Sequence, residues 1–414
     1  MEKLIGRALT PVAALVVASL CPWSSAVAEN NPLSLSISQD LSFDNNFLRR
    51  SGGGPSDTTS VTAATVAYNK SYGRQNYGAS VTANATRHNR FKDYDNDGYA
   101  VALGMTTTVG SKGYLALQHS SSRSLQSPDE QTGQRYADTI TSQSTALSGQ
   151  YGIHGRLGVN STVSSSKTKY SLNKANDRDQ MGLRVGVSYS PNDLLSFGAG
   201  VKKSEQKLVN AGDKVNRYDY DLNTNWVITG YSNLSASVAL TDEKRVVNEG
   251  LDYRGVTGSL RWGYTPGGKM SYGLRVSRDT TSSGQGNGTL LVVNNDNSVL
   301  GSISNQSQNQ LTTTLSATAN WAATSKIGVG VGLNYSRFTD SREAEILGTI
   351  SGLESQFLPT NGRQYGASFS VTYNPVRSTR LGCTVQAYKR DQTRLSVSGY
   401  RGETLGCDAT FSIE

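Results

Sequence analysis

The sequence has few of the residues that fill the core of a large soluble enzyme. Only 36% of its 414 residues are hydrophobic, whereas an ordinary globular protein has about 45–50%. This deficit argues against a large buried α/β core. Phenylalanine (8 residues) and proline (9) are scarce, while glycine (43) and tyrosine (21) are abundant. Disorder also fits poorly, because tyrosine, valine and leucine recur throughout. A chain with about a third of its residues apolar, and with many small and polar residues among the others, suits a closed membrane barrel.

Long apolar runs are missing beyond the N-terminus. A basic start precedes an apolar stretch from Ala8 to Leu20, and an A-x-A cleavage signal ends at Ala28. The stretch has the length of a signal h-region and is too short to span a bilayer. We therefore predict that residues 1–28 are a secretory signal peptide and that 29–414 form one exported domain. No later stretch approaches the ~20 apolar residues of a transmembrane helix.

Apolar and small polar residues alternate with a period of two along almost all of the predicted exported domain. Clear examples are segments 33–43, 99–105, 183–189 and 327–335. Because successive side chains of a strand point to opposite faces, one face of each segment is apolar and the other is small or polar. This pattern is typical of transmembrane strands, although strands of soluble sandwiches also show it.

The segments between the predicted strands are of two kinds, which take turns along the chain. The short ones are 110–113, 153–155, 191–193, 229–232, 266–268, 324–325 and 375–377. The long ones are rich in charge, glycine and asparagine, and they are 44–57, 89–97, 125–137, 171–179, 208–216, 246–252, 282–305, 340–361 and 391–399. Short turns at one end and long loops at the other are the asymmetry of an outer-membrane barrel.

Aromatic residues lie beside the short turns, where amphipathic rings suit a headgroup boundary. They are Tyr68, Tyr77, Tyr114, Tyr151, Tyr189, Phe197, Trp226, Tyr231, Trp262, Tyr264, Tyr272, Trp321 and Tyr373. A soluble sandwich gives no reason for aromatic residues to collect at one end. Counting the connections gives about 18 strands, within 16–20, and an even number places both termini at the short-turn end. The predicted fold is an all-β, antiparallel, up-and-down transmembrane barrel.

Cysteine is nearly absent, and only two of the three cysteines lie beyond the predicted signal peptide. A hairpin centred on Leu395 places Cys383 opposite Cys407, because each lies twelve residues from it. Opposed residues of an antiparallel pair have Cα atoms about 4.5–5.5 Å apart, which a disulfide accepts. In an oxidising exported compartment we expect this disulfide to form. The alternative is two small apolar thiols on the outward face.

Two stretches of the chain carry a resemblance to a known family. The opening segment 38–49, with the sequence SQDLSFDNNFLR, and a close that contains Gly382-Cys383, Tyr400 and Cys407 resemble the beta-barrel porin-2 family. That family includes EpsL-type barrel proteins encoded in exopolysaccharide operons. The resemblance implies an outer-membrane barrel that is associated with a secreted polysaccharide.

Strand parity assigns a set of basic residues to the inside of the predicted barrel. These candidates for the solute path, with one inward tyrosine, are Arg156, Arg184, Lys202, Arg217, Arg261, Arg275, Arg380, Tyr388 and Arg390. The acidic residues on the same face are Asp219, Asp221 and Asp279. A basic lining attracts anions, hydroxyl and amide groups bind sugar hydroxyls, and the Tyr388 ring is a stacking face for a pyranose. The alternative is that these charges pair across strands and stiffen the wall.

Other chemistries find little support in the sequence. The three histidines, His88, His119 and His154, have no serine or carboxylate at a spacing that stands out. The alternating aspartates of 93–98 resemble the start of a calcium loop, but the closing glutamate is missing. We interpret them as solvated loop carboxylates. We therefore expect no enzyme activity, no cofactor, no metal site and no nucleic-acid partner.

Three functions remain for such a barrel in the outer membrane of a Gram-negative bacterium. The first, which we favour, is a pore for exopolysaccharide with a basic, polar lumen. The second is a general porin for small anionic solutes, and the third is a non-conducting scaffold for assembly or adhesion. The expected partners are outer-membrane lipid and lipopolysaccharide, the polysaccharide or anionic solute, and periplasmic export components.

Overall fold

The structure of the chain is a computed structural model. It describes residues 32–126, 137–154, 156–210, 212–247, 251–284, 289–293, 299–347, 360–393 and 399–413. The predicted signal peptide, residues 1–28, lies outside the described residues, and so does Leu395 at the centre of the last hairpin.

Nineteen β-strands run through the described residues. They are Leu33–Asp44 (β1), Asp57–Tyr72 (β2), Gln75–His88 (β3), Asn96–Val109 (β4), Gly113–Leu125 (β5), Thr139–His154 (β6), Leu157–Tyr170 (β7), Arg178–Asn192 (β8), Leu195–Leu208 (β9), Asp213–Thr229 (β10), Ser232–Arg245 (β11), Tyr253–Tyr264 (β12), Met270–Gly284 (β13), Thr289–Val293 (β14), Val299–Ala322 (β15), Ile327–Leu347 (β16), Thr360–Val376 (β17), Thr379–Thr393 (β18) and Tyr400–Ile413 (β19). Two 3-10 turns, Lys92–Tyr94 and Lys174–Asn176, lie in long loops. Within the described part of the chain, no helix has the length and apolar character needed to cross a membrane.

The sheet closes on itself. Neighbouring strands pair antiparallel in chain order, and β1 pairs with both β2 and β19. The closing ladder is long, because it runs from Leu35 opposite Ile413 to Asp44 opposite Thr404. β14 continues the line of β13 along β15 and adds no strand to the wall, so the barrel has 18 strands. The predicted antiparallel, up-and-down barrel is confirmed.

Two of the predicted long loops are partly strand. Segment 282–305 contains β14, in which Thr289 lies opposite Ser304. Segment 340–361 contains the end of β16, which stays paired with β15 up to Leu347. The loop boundaries predicted here are wrong, because a sequence rich in serine, asparagine and glutamine suggests a loop although an antiparallel ladder also accepts it. β15 is therefore 24 residues long, whereas β19 has 14.

The short turns lie together at one end of the barrel, with Pro32 and Ile413 beside them. The eighth short connection is Gly73-Arg74, between β2 and β3. Gly73 has a φ of 57° and Gly110, in the next short turn, a φ of 63°. Glycine adopts this left-handed conformation at no steric cost, which explains its place in these tight turns.

The barrel has an apolar outer face and a polar inner face in place of a conventional core. In β8, for example, Leu183, Val185 and Val187 point outward and are exposed, whereas Arg184 and Ser188 line the lumen. Exposed leucine and valine recur in the same way on strands all around the wall. An uncovered apolar surface of this extent calls for a non-aqueous neighbour.

Most of the predicted aromatic residues lie on the outer wall at the short-turn end. Trp262, Tyr264 and Tyr272 form a stack there, with ring centroids 5.8 and 6.2 Å apart. Tyr114 is the exception, because it shares the inward face with Gln150. This ring of side chains marks one edge of the apolar band.

A second aromatic set lies at the long-loop end of the outer wall. It consists of Tyr99, Tyr218, Tyr220, Tyr335 and Tyr365. The aromatic residues therefore do not collect at one end only, and that part of the sequence interpretation is wrong. Two girdles that bracket an apolar band are typical of transmembrane barrels.

Cys383 and Cys407 lie opposite each other on β18 and β19. Their Cα atoms are 4.1 Å apart, and the structure joins the two sulfurs in a disulfide. Both side chains are on the outward face, next to Val385 and Leu405. Because β19 also makes the closing pair with β1, this bond connects the last hairpin at the seam of the barrel.

Candidate functional site in the barrel lumen

Five of the predicted solute-path residues lie together on one sector of the inner wall. They are Arg184 on β8, Lys202 on β9, Arg217 on β10, Arg261 on β12 and Arg275 on β13. Adjacent strands are about 4.7–4.9 Å apart, so the five basic groups face the same region of the lumen. Serine, threonine and asparagine fill the positions between them.

Arg184 is held in place by an aspartate two strands away. Its Nε and Nη2 atoms donate to the two carboxylate oxygens of Asp221 at 3.0 and 2.6 Å. Its Nη1 atom donates to Oδ1 of Asn160 at 2.6 Å. A bidentate pair of this kind fixes the plane of the guanidinium. The Arg184 charge is therefore neutralised within the wall.

Arg217 makes a second network with the other two lumen aspartates. Its Nε atom donates to Asp219 at 2.9 Å, and its Nη2 atom lies 2.9 Å from a carboxylate oxygen of Asp279. Asp219 also accepts a 2.6 Å hydrogen bond from the hydroxyl of Thr241. The interpretation that lumen charges stiffen the wall holds for these two arginines.

Three cations of the same sector have no described carboxylate to balance their charge. Lys202, Arg261 and Arg275 are not within ion-pair distance of a carboxylate among the described side chains. Arg261 lies directly opposite Arg275, and the flanking positions in that row are Ser235 and Ser316. Like charges directly opposite each other destabilise a sheet, so this pair favours an anion in the lumen beside it.

Open space lies in front of these side chains. A cavity of about 740 Å³ is bounded by Lys202, Arg275, Asn223 and Ser259, among others. A second space of about 500 Å³ follows the wall from β2 to β6, where the lining residues are mostly small alanine, glycine and serine. Barrels of 16–18 strands enclose more volume than their side chains fill. The lumen can therefore hold a hydrated solute.

Three other predicted residues lie at the ends of the barrel. Arg156 is exposed in the turn before β7, and Arg380 is exposed at the start of β18. Arg390, at the opposite end of β18, is buried with its guanidinium 4.3 Å from the centroid of the Phe338 ring. These three residues therefore lie apart from the sector of Arg184, and the inward assignment of Arg156 stays a prediction.

Tyr388 does not present a free ring to the lumen. Its side chain is only 8% exposed, and the Arg49 guanidinium lies 4.0 Å from its ring centroid. Its hydroxyl accepts a hydrogen bond from Arg49 at 2.6 Å and donates one to Asp44 at 2.7 Å. Arg49 also pairs with Asp44 at 2.6 Å. The expected sugar-stacking role is therefore corrected: Tyr388 anchors the loop that follows β1.

That loop, residues 45–56, is docked onto the inside of the rim. The side-chain nitrogen Nδ2 of Asn46 donates to the backbone oxygens of Arg50 and Arg401, both at 2.8 Å. Arg49 has a φ of 52°, an uncommon left-handed conformation for a non-glycine residue. Four of the residues that carry the family resemblance thus attach this loop to β18 and β19: Asp44, Asn45, Asn46 and Arg49.

The same loop begins a small aromatic cluster at the long-loop end. The Phe47 ring lies 5.0 Å from His88, 5.3 Å from Phe91 and 5.2 Å from Tyr94, measured between centroids. Nδ1 of His88 lies 2.8 Å from a carboxylate oxygen of the buried Asp57. The rim therefore has a packed core of its own, which ties the first loop to the next one.

The docking of this loop is not evident from strand alternation, although the loop sequence contains a signal for it. Asp44, Asn46 and Arg49 are short-range partners for one another, and Phe47-Leu48 is an apolar pair inside a polar loop. An apolar pair at such a place indicates local packing. Its partners, Tyr388 and Arg401, are more than 330 residues away and have no sequence signal that links them to it.

Two of the three aspartates of 93–98 make local contacts. Asp95 accepts a 2.7 Å hydrogen bond from the backbone nitrogen of His88, and Asp97 lies 2.7 Å from the guanidinium of Arg87. No group of three or more His, Cys, Asp or Glu residues within the described ranges is arranged to hold a metal ion.

These features define a closed, antiparallel, 18-stranded β-barrel with an apolar exterior and a polar lumen. No protein-family model matches this sequence, and no curated protein matches it. OccK5 (OpdH) of Pseudomonas aeruginosa is similar over 92% of this chain and 98% of its own, at 10% identity and a TM-score of 0.45. OpdQ of Pseudomonas aeruginosa is similar over 92% and 97%, at 12% identity and 0.43. A bacterial polysaccharide outer membrane secretin is similar over 93% and 99%, at 9% identity and 0.36. The fold assignment rests on the strand topology of the chain itself.

The Tyr388 anchor leads to a testable prediction. In Tyr388→Phe, Asp44 and Arg49 lose the hydroxyl between them, which we expect to cost about 1–3 kcal/mol at this buried site. The loop 45–56 should then open, and limited trypsin digestion should cut after Arg49 or Arg50 faster than in the wild type. Tyr77→Phe is the matched control, because the Tyr77 hydroxyl binds only the exposed Gln75 side chain. Equal cleavage rates in the two variants would contradict the anchor.

Proposed function

We propose that this chain is an outer-membrane pore that takes part in exopolysaccharide export, with the lumen as the path of an acidic polysaccharide. The observation that carries the proposal is the sector of the inner wall with Lys202, Arg261 and Arg275, whose charges are not paired with a described carboxylate. A moving polyanion supplies the negative charge that this sector lacks.

The chemistry of the wall supports a sugar-based solute. Asn223, Asn225, Ser237 and Ser259 line the larger cavity, and their amides and hydroxyls offer both donors and acceptors to sugar hydroxyls. The described inner wall has few large apolar side chains that would bind a solute tightly. A lumen that binds weakly at many sites favours passage of a long polymer over its retention.

The outer wall supports the proposed placement in a membrane. The exposed leucine and valine side chains form a band between two aromatic girdles. On β17, Tyr365 and Tyr373 lie at the two edges of the apolar band, and the segment that they bound has nine residues with both included. A tilted transmembrane strand needs about 9–11 residues, so this segment suits the apolar band of an outer-membrane barrel. The predicted signal peptide is consistent with export to that membrane.

A general porin for small anionic solutes is the second candidate, because the same unpaired cations favour any anion. A non-conducting scaffold is the third. The feature that favours it is the docked loop with its aromatic cluster, which forms a packed surface at the long-loop end.

Bilayer recording separates the pores from the scaffold and tests the role of the cations. We expect the purified barrel to conduct with anion preference, and Arg261→Gln/Arg275→Gln to lower the anion-to-cation permeability ratio by about twofold or more, because the wall loses two charges. The reversal potential in a salt gradient gives the ratio. Lys207→Gln/Lys214→Gln is the control, since it removes two cations from the outer wall. A purified barrel that never conducts would contradict both pore functions.

Deletion of the gene separates polysaccharide export from general permeation. We expect the deletion strain to release less polymer, or shorter chains, and the wild-type gene to restore the output. The Arg261→Gln/Arg275→Gln variant should restore it only in part, because the path has lost its attraction for the polyanion. The readout is the amount and chain length of extracellular polysaccharide. Unchanged polymer together with reduced uptake of small anions would favour the general porin.

A further inference from the structure

A group of basic residues lies on the outside of the barrel, at the edge of the apolar band. We call it the outer basic patch and define it as Arg337 on β16, Arg363 on β17, Lys389 on β18 and Arg401 on β19. All four side chains are exposed. They share the outward parity of Leu333, Phe369, Val385 and Leu405, which are exposed apolar residues on the same four strands.

The register brings like charges face to face within this patch. Arg337 lies directly opposite Arg363, and Lys389 lies directly opposite Arg401. Two like-charged pairs on adjacent strands repel each other and weaken the sheet unless an anion lies between them. The arrangement therefore has no benefit for the barrel by itself.

Few carboxylates are available to neutralise the patch. Asp391 lies directly opposite Arg363 in the β17–β18 ladder and pairs with Lys389 at 3.0 Å. Among the described side chains, no carboxylate is within ion-pair distance of Arg337, Arg363 or Arg401. On β9 and β10, by contrast, the opposed lysines Lys207 and Lys214 share one carboxylate. The Lys207 and Lys214 amines lie 3.6 and 2.8 Å from Glu205 carboxylate oxygens.

The height of the patch on the wall identifies the kind of anion. Tyr335 and Tyr365 belong to the girdle at the long-loop end, with ring centroids 5.3 Å apart. Arg337 and Arg363 are each two residues from these tyrosines, on the side of the long loops. Rings of this girdle suit the headgroup level. Cations just beyond it meet the charged headgroups, while the apolar residues below meet acyl chains.

We propose that the outer basic patch binds a phosphorylated glycolipid of the outer leaflet, with Arg337 and Arg363 both donating hydrogen bonds to one sugar phosphate. Guanidinium groups match phosphate oxygens in bidentate geometry, and a phosphate between the two arginines removes their repulsion. The acyl chains of the lipid lie along Leu333, Phe369 and Val385. This inference rests on the proposed placement of the barrel in the outer membrane.

The test uses the full barrel purified in an uncharged detergent, with bis-phosphorylated lipid A as the probe. Samples are heated to a series of temperatures and run on a gel that separates the folded barrel from the unfolded chain. Added lipid should raise the temperature at which the band of the folded barrel disappears, because a ligand that binds only the folded state stabilises it. Arg337→Gln/Arg363→Gln should bind the lipid on the order of tenfold or more weakly and lose that shift. Without lipid the variant should be as stable as the wild type or more so, because the repulsion is gone.

Two controls decide whether the effect belongs to the patch and to phosphate. Lys207→Gln/Lys214→Gln removes two outer-wall cations that are already paired, so it should keep the shift. Lipid A without its phosphates should produce no shift in any of the three proteins. An equal shift in the wild type and in Arg337→Gln/Arg363→Gln would overturn the site, and so would an equal shift with phosphate-free lipid.

This test separates the lipid site from the proposed pore. A barrel that shows the lipid-dependent shift and never conducts retains the site and contradicts the pore. A barrel that conducts and shows no shift contradicts the site alone.

Discussion

The pairing of β1 with β19 is the interaction on which every other feature of this molecule depends. An open sheet would leave two edges of unpaired backbone groups, which a non-aqueous environment does not tolerate. Closure also lets each strand show one face outward and one inward, so that 36% hydrophobic residues are enough. Several contacts reinforce this seam. The Cys383–Cys407 disulfide joins β18 to β19, and the Tyr388 hydroxyl joins β18 to Asp44 at the end of β1.

The inner wall divides its charges into two groups with different roles. Arg184 and Arg217 are neutralised by three aspartates and keep the wall in shape. Lys202, Arg261 and Arg275 retain an attraction for anions. A count of basic and acidic residues does not reveal this division, because it depends on which side chains lie within reach across two strands. The anion preference that we propose for the lumen therefore depends on three residues rather than on the total charge.

Much of the fold is predictable from local sequence. The period-2 alternation of 183–189 and the alternation of short turns with long loops indicate a closed barrel of about 18 strands. The register of the last hairpin follows from the equal distances of its two cysteines from Leu395. These signals are local because neighbouring strands of an up-and-down barrel are also neighbours in sequence.

The remainder depends on contacts that the local pattern does not encode. The Tyr388 hydroxyl and Asp44 are 344 residues apart, so parity correctly turns Tyr388 inward but cannot show that Arg49 covers its ring. The second aromatic girdle escapes notice for another reason: Tyr335 and Tyr365 lie well inside their strands, away from any turn. The extension of β15 and β16 is hidden by a composition that suits loops as well as strands.

The central claim is that one face of each strand meets lipid and the other meets water, and cysteine labelling along β7 tests it most directly. In a Cys383→Ser/Cys407→Ser background, single substitutions Ser161→Cys, Thr162→Cys, Val163→Cys and Ser164→Cys are exposed to a membrane-impermeant maleimide in intact outer membranes. The account predicts that the cysteines at 162 and 164 react and that those at 161 and 163 do not, because the side chains alternate between lumen and lipid. Labelling of all four at similar rates would contradict a membrane barrel with an aqueous lumen.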